Sequence, residues 1–155
     1  MPKVDIARIR KRKGSRYPAA HAAPCAKRER TPLGNAAGLY DFGVNQLRLP
    51  PGAWSSQRHW HDSEDEFIYV LSGEVILVTE SGETLMRPGD CAGFPKNLED
   101  GHHLINRGKT DAIVLEVGSR VRKDVTTYPD IDMMYDPKAG GYVRKNGKPY
   151  PKRSR

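Results

Sequence analysis

Short apolar segments separated by glycine and proline turns constrain the fold of this chain most. Turn signals stand at Pro50-Pro51-Gly52, Ser72-Gly73, Pro88-Gly89-Asp90 and Arg107-Gly108. Strands repeated at intervals of roughly 8 to 12 residues, with glycine and proline between them, indicate an all-β sandwich or barrel. No helical apolar periodicity competes with this pattern. The predicted strands are 38–49, 55–61, 66–71, 75–79, 83–86, 91–94, 102–106 and 112–117.

The chain divides into three parts around this barrel. Its 155 residues suffice for one domain with a hydrophobic core and exclude a second large one. We predict a basic, extended N-terminal arm over 1–37, the β-barrel over 38–120 and a C-terminal extension over 121–155. Residues 14–37 are rich in Ala, Pro and Gly and are predicted as coil. Asn146-Gly147 favours a type I′ hairpin in the extension, which ends in a basic tail.

The formal net charge of +7 comes from the arm. Residues 1–30 hold ten of the 26 Lys and Arg residues but only two of the 19 acidic ones, so the rest of the chain is nearly neutral. Such an arm can contact phosphate groups or a partner subunit. It has no aromatic residues interleaved for base stacking and no recognition helix accompanies it, so we expect no sequence-specific nucleic-acid binding.

Composition also bears on location. The mean hydropathy is −0.71, and no apolar run approaches the roughly 18 residues of a membrane span. No membrane association is expected. The N-terminus lacks the apolar segment of a secretory signal, which makes a cytoplasmic location the default. Two cysteines are too few for a disulfide framework, and Cys91, in an apolar strand, is expected to be a core residue.

Metal-ligand residue types occur at a regular spacing in the middle of the chain. His59 and His61 lie two residues apart on a predicted strand, so both side chains point to the same face. An acidic loop then turns the chain, and Glu66 opens the next strand. These three side chains can reach one ion.

A fourth ligand is expected from the strand that begins near residue 102. His102 and His103 are adjacent there, and either could face the ion. We favour His102 because it keeps a His-x3-Asn spacing with Asn106. Either Asn106 or backbone groups are expected to hydrogen-bond the imidazoles and fix their tautomers. By the alternation of strand residues, Gln57 shares the face of His59 and is the predicted substrate-binding residue.

Three imidazoles and one carboxylate suit a single divalent transition metal. Iron, manganese, zinc, nickel and copper all accept such ligands. On an octahedral ion, four protein ligands leave two positions for water or a small molecule. An ion held in this way can polarise a carbonyl, acidify a bound water or bind dioxygen.

These residues resemble the two motifs of the cupin superfamily. The resemblance covers residues 43–118 and includes Gly52, Gly73, Gly89 and Pro95, with fifteen residues between Gly73 and Gly89. It implies a single jelly-roll β-barrel in which His59, His61, Glu66 and His102 converge on one metal. The chain departs from the family pattern where Asn97 stands in place of the usual glycine, and where six residues rather than five separate Gly52 from His59.

A closer resemblance is to a group of bacterial single-domain cupins of undefined function. It extends from about Tyr17 to Tyr150 through phrases such as LPPGAWSSQRHWH, GDCAGFP and YPDIDM. Some members of that group are named sugar phosphate isomerases by distant analogy. This resemblance implies that much of the arm and the terminal hairpin belong to the folded protein.

Two classes of function fit these features. The first is a metal-dependent isomerase, lyase or dioxygenase acting on a small polar molecule, with a sugar-like molecule as one candidate, although the sequence shows no general base outside the ligand set. The alternative is a non-catalytic cupin that binds or senses a small ligand. In addition, Phe67, Tyr69 and Leu71 alternate toward the outside of their strand. This apolar face predicts a homodimer.

Overall fold

Antiparallel strands are the main regular elements of the structure, a computed structural model that describes residues 2–151. The basic residues of the predicted tail from 152 to 155 lie outside the described residues. Within residues 2–151 the thirteen strands are β1 (Arg12–Lys13), β2 (Glu29–Thr31), β3 (Phe42–Leu49), β4 (Trp60–His61), β5 (Glu66–Ser72), β6 (Val75–Thr79), β7 (Gly82–Met86), β8 (Cys91–Phe94), β9 (His103–Ile105), β10 (Ala112–Ser119), β11 (Thr126–Tyr128), β12 (Met133–Asp136) and β13 (Gly141–Val143).

Helical structure is short and peripheral. Two single-turn α-helices, α1 (Ala19–Ala22) and α2 (Leu33–Ala36), lie in the N-terminal segment. Three 3₁₀ turns cover Ile6–Arg8, Ala23–Cys25 and Pro137–Ala139. No helix in residues 2–151 combines the length and the apolar character needed to cross a bilayer.

Two walls of strands face each other. The first is a six-stranded sheet in the order β1-β2-β3-β10-β5-β8. The second is built from a three-stranded sheet, β7-β6-β9, and a four-stranded sheet, β13-β12-β11-β4. Isolated bridges from Trp54 to Ile105 and from His59 to His102 join these two sheets across the segment that leads into β4. The all-β prediction is confirmed.

The hydrophobic core fills one end of the space between the walls. Alternation along β3, β5 and β10 turns one residue in two inward, and the register places Val114 beside both Leu47 and Val70. All three side chains are fully buried. The polar residues on the same inward faces, including Asn45, Glu66 and Glu116, lie toward the other end. The apolar end therefore anchors the sheet, and the polar end is left for a site.

The turn between β5 and β6 requires glycine. Gly73 has a φ of +70°, and a Cβ atom there would lie 2.5 Å from the carbonyl oxygen of Asp111. An L-residue is disfavoured by both the backbone conformation and the close approach. The glycine of the first sequence motif thus fixes how β5 turns back toward β6.

The N-terminal segment is folded against the barrel, so the coil prediction for 14–37 is wrong. β2 pairs with β3 and extends the first wall, and β1 pairs with β2. Tyr17 and Cys25 are buried in a second apolar cluster with Tyr128 and Met133 from the C-terminal segment. The folded arm and hairpin agree with the extent of the closer resemblance. The boundaries at 37 and 120 stay a prediction.

Two local predictions need correction. The Asn146-Gly147 turn is not type I′, because in this hairpin only Gly147 has a positive φ, and its N–H donates to the carbonyl of Arg144. This pattern matches a type I turn followed by a left-handed glycine. Cys91 is exposed, since β8 is an edge strand and the residue pairs with outward-facing Tyr69.

Candidate metal centre

The four predicted ligands converge at the polar end of the barrel. The Nε2 atoms of His102, His59 and His61 lie 2.7, 3.3 and 3.4 Å from a single oxygen, Oε2 of Glu66. A set of histidine nitrogens this close around one carboxylate needs only small side-chain movements to enclose an ion at the roughly 2.0–2.2 Å typical of metal bonds.

Backbone pairing brings these side chains together from distant parts of the sequence. His59 and His102 exchange two main-chain hydrogen bonds, of 3.2 and 2.9 Å. His61 belongs to β4, which pairs with β11, and Glu66 is the first residue of β5 on the opposite wall. The centre therefore spans the gap between the two walls.

The choice between the two adjacent histidines follows from where each ring lies. His103 points away from the centre, with Nδ1 2.9 Å from the carbonyl oxygen of Ser56 and its ring 4.6 Å from that of Trp54. His102 points inward and stacks on Phe94 with ring centroids 3.5 Å apart. His102 is the histidine of this pair that faces Glu66.

Hydrogen bonds behind two of the rings orient their ligand atoms. Nδ1 of His59 donates to the carbonyl oxygen of Gln57 at 2.9 Å, and Nδ1 of His61 donates to Oδ2 of Asp124 at 2.6 Å. Each bond directs the other ring nitrogen, Nε2, at the centre, as a metal-binding histidine requires. For His102, Nδ1 has no hydrogen-bond partner within residues 2–151.

Three imidazole nitrogens and one carboxylate, two of the rings oriented in this way, fit a divalent transition metal.

The electrostatics of the cluster favour the charged forms of His61 and Glu66 and the neutral form of His102. Burial lowers the pKa of His61, but its hydrogen bonds to Asp124 and Glu66 outweigh that effect and raise the pKa to about 10. Burial raises the pKa of Glu66, and hydrogen bonds from His102 and the other two rings more than reverse this, leaving it well below the usual value. For His102 burial prevails and lowers the pKa. Metal entry would displace protons from such a site.

A cavity of about 450 Å³ opens beside the centre. Its floor includes His59, His61, Glu66 and His102, and its walls carry serines, tyrosines and four arginines. A second cavity of about 300 Å³ approaches His61 and His102 from the side of Trp60 and Leu77. The first is large enough for a small polar molecule that reaches the ligand atoms.

Two residues predicted to serve the site lie elsewhere. Gln57 does not line the cavity: its Nε2 donates to the carbonyl oxygen of His21 at 2.8 Å. Strand alternation fails there because the segment before β4 is a series of bends rather than a regular strand. Asn106 is fully buried, but its amide binds the carbonyls of Leu49 and Thr110 and so fixes a turn instead of supporting a ligand.

Comparison with known proteins agrees with this geometry. A family model described as Cupin domain matches residues 45–118. A crystal structure from Silicibacter pomeroyi, described as a sugar phosphate isomerase from a cupin superfamily, is 44% identical in sequence, aligns over 97% of each chain and has a TM-score of 0.90. This chain belongs to the cupin superfamily.

More distant relatives share only part of this cupin. A probable oxalate decarboxylase from Arthroderma benhamiae is 32% identical over 73 residues. That match covers 44% of this chain but only 17% of the length of the relative. A structure described as a predicted oxalate decarboxylase from Thermotoga maritima is 21% identical, covers 77% of this chain and 99% of its own, and has a TM-score of 0.61. The latter likeness shows the fold alone.

The departure of this cupin from the family pattern at position 97 has a conformational explanation. Asn97 has a φ of +59°, and it is the one residue other than glycine with a positive φ in residues 2–151. Asparagine tolerates the left-handed conformation better than most residues. Its N–H donates to the carbonyl oxygen of His61 at 2.8 Å. The loop therefore keeps the conformation that glycine would supply and holds a ligand strand in place.

The sequence motifs do not contain every residue of the site. Asp124 lies 63 positions after His61, and Arg28 and Arg30 belong to the segment predicted as coil. Residues so far apart carry no local spacing signal. Only the pairing of β11 with β4, and of β2 with β3, brings them to the centre and its cavity.

Proposed function

We propose that this cupin is a metal-dependent enzyme that isomerises a small sugar-type molecule. The observation that carries the proposal is the convergence of three histidine Nε2 atoms on Glu66 at the base of an open polar cavity. When bound there, a divalent ion would polarise a carbonyl or hydroxyl oxygen of the substrate. The name given to the Silicibacter pomeroyi relative, which aligns with nearly the whole chain, supports isomerisation over other cupin chemistry.

Isomerisation between an aldose and a ketose needs no oxidant or reductant. A proton leaves the carbon beside the carbonyl and returns to the neighbouring carbon, while another proton moves between the two oxygens. The enzyme must therefore supply an oriented oxygen-binding centre and a group that accepts and returns a proton.

Glu64 is the residue best placed to accept that proton. Three carboxylates within residues 2–151 line the larger cavity, those of Glu64, Glu66 and Glu116. Glu66 belongs to the ligand cluster, and Glu116 is held by two hydrogen bonds from Arg30. One oxygen of Glu64 accepts the N–H of Val121 at 2.7 Å, which orients the carboxylate. The other oxygen lies 3.9 Å from Nδ1 of His61, beyond hydrogen-bond distance, and is the one that would accept the proton.

Lyase chemistry on a small carboxylate is the second candidate. It is favoured by the 32% identity, over 73 residues, to a probable oxalate decarboxylase. The same open centre would hold a carboxylate as readily as a hydroxyl or carbonyl. Oxalate therefore belongs among the substrates that are tested.

The test combines metal analysis with turnover. Freshly purified protein is analysed for bound elements, then loaded with each candidate metal and incubated in D₂O with a panel of aldose and ketose phosphates and with oxalate. NMR then detects conversion and deuterium incorporation beside the carbonyl. We expect metal-dependent exchange and conversion of a sugar substrate, loss of both metal and turnover in His61→Ala, and loss of turnover with metal retained in Glu64→Gln.

Three other outcomes would contradict the metal site, the enzymatic activity or the choice of isomerisation. Full metal occupancy in His61→Ala would contradict the metal site. A stoichiometric metal in the wild type without turnover or deuterium exchange for any substrate would contradict the enzyme, and would leave the non-catalytic cupin. Release of carbon dioxide from oxalate without sugar conversion would replace the isomerase by the lyase.

A further inference from the structure

The wall of the larger cavity carries more positive charge than its own carboxylates neutralise. Arg12, Arg28, Arg30 and Arg120 line it, against three glutamates. One glutamate belongs to the ligand cluster, and Glu116 is committed to Arg30 by hydrogen bonds of 2.7 and 2.8 Å. A bound divalent ion would add further positive charge. A cavity of this sign attracts anions.

Arg28 is the buried arginine of this cavity whose charge has no carboxylate partner in the part of the chain that the structure describes. Its exposed fraction is 7%, and it forms no ion pair with a carboxylate within residues 2–151. Its hydrogen bonds go to neutral acceptors, the carbonyl oxygens of Gly14 and Ser55. Burying an unpaired guanidinium is costly, whereas an anionic ligand would supply both the missing charge and acceptors for the remaining N–H donors.

The surroundings of Arg28 link it to the metal centre. Its guanidinium lies over the ring of Tyr17, 5.7 Å from the centroid. Tyr17 packs edge-on against Tyr128 at 5.6 Å, and Tyr128 lies 5.8 Å from the ring of His59. All of these residues line the same cavity. A ligand held at Arg28 can therefore extend along the tyrosines toward the histidines.

We propose that Arg28 binds the anionic group, a phosphate or a carboxylate, of a small substrate whose other end faces the metal centre. This inference rests on the proposed function, because it names the class of molecule that the same site takes. Arg28 fixes the position of the substrate, and Arg30, already paired with Glu116, adds positive charge beside it. The substrate class is then an acidic sugar derivative or sugar phosphate rather than a neutral sugar.

Binding of simple anions tests the proposal without requiring turnover. Isothermal titration calorimetry with inorganic phosphate and with malonate, at constant ionic strength set with chloride, is carried out on the protein as purified and after removal of metal by a chelator. We expect saturable binding of at least one anion in both forms. The anion that binds more tightly, phosphate or malonate, indicates whether the anionic group of the natural substrate is a phosphate or a carboxylate.

Three variants assign that binding to one residue. Arg28→Gln is expected to weaken it at least about tenfold, the effect of losing a charge-assisted hydrogen bond. Arg28→Lys, which keeps the charge, is expected to weaken it less. Arg87→Gln is the matched control, because Arg87 is 64% exposed and pairs with Glu74 outside the cavity. An NMR titration of the wild-type protein gives a second, independent measurement. The Arg28 Nε–H resonance, assigned through bonds from the backbone, should shift as phosphate or malonate is added.

Several results would overturn the assignment. Unchanged affinity in Arg28→Gln, an Arg28 resonance that does not respond to a bound anion, or no binding of either anion would each do so. Binding confined to the metal-loaded protein and independent of Arg28 would place the anion on the metal instead. Failure of the metal proposal looks different, since His61→Ala would keep its metal while binding of anions still depended on Arg28.

Discussion

At the scale of single residues, metal affinity should depend on a carboxylate outside the ligand motif. Asp124 accepts a hydrogen bond from Nδ1 of His61 at 2.6 Å and from the N–H of Ser63 at 2.8 Å. Replacing it with asparagine removes the charge that orients the imidazole and strengthens it as a ligand. We expect Asp124→Asn to lower metal affinity about 10- to 100-fold.

A competition titration with a chromogenic chelator measures that affinity. The control is Asp62→Asn, since Asp62 is an exposed acid in the neighbouring loop, and it should bind metal as the wild type does. Equal affinities for Asp124→Asn and the wild type would contradict the supporting role of Asp124.

The left-handed conformation of Asn97 gives a second prediction at this scale. Asn97→Gly should change the free energy of unfolding by less than about 1 kcal/mol, because glycine adopts a φ of +59° without strain. Asn97→Val should lower it by roughly 1–3 kcal/mol, since a β-branched residue is strained there. Urea denaturation measures both. A valine variant as stable as the wild type would show that the loop rearranges.

The sequence could predict the four side chains that converge at the centre but not the residues around them. His59, His61 and Glu66 lie within eight residues, so strand alternation and one turn suffice to bring them together. Strand alternation also predicts that Gln57 faces the centre. That prediction is wrong, because the bends before β4 interrupt the alternation. Asp124 and Arg28 depend on pairing between distant strands, which no local pattern encodes.

At the scale of elements, the two terminal segments hold each other on the barrel. Tyr17, between β1 and α1, contacts Tyr128 of β11 and Tyr142 of β13 at ring distances of 5.6 and 5.4 Å. Its hydroxyl accepts the N–H of Gln57 at 3.2 Å. The strands predicted between 66 and 117 agree closely with the structure, because a glycine or proline turn separates each from the next. The predicted strand 55–61 is wrong in extent, since only β4 (Trp60–His61) forms there. The N-terminal strands were missed because they are short and gain their stability from tertiary contacts.

This docking should weaken at alkaline pH. Burial raises the pKa of Tyr17 to about 12 from an ordinary value of 10.0. The unfolded chain therefore loses its proton first, so the contribution of Tyr17 is complete below pH 10 and is lost as the pH rises toward 12. A pKa difference of about two units between the folded and unfolded states contributes at most about 3 kcal/mol to the free energy of unfolding. Urea unfolding at several pH values should show a shallower decline in Tyr17→Phe, whereas Tyr40→Phe, 84% exposed, should decline as the wild type does.

At the scale of the whole molecule, charge and apolar surface are segregated. The cationic wall faces the inner cavity, whereas the outer face of the six-stranded sheet carries apolar side chains along β5 and the neighbouring β10. Phe67, Tyr69 and Leu71 of β5 are 40%, 38% and 45% exposed. Leu115 of β10 is half-buried and lies beside Tyr69 in the register. A contiguous apolar face on a sheet is typical of a subunit interface.

We therefore predict that the protein is a homodimer that uses this outer face. Light scattering coupled to size-exclusion chromatography at micromolar concentration should give twice the monomer mass of 17.4 kDa. Leu71→Glu should shift the protein to monomer, because two like charges would be buried against each other across a symmetric interface. Leu85→Glu is the control, since Leu85 is 39% exposed on β7 of the other wall, and it should stay dimeric. A monomeric wild type would show that the outer face stays open to solvent, and a dimeric Leu71→Glu would place the interface elsewhere.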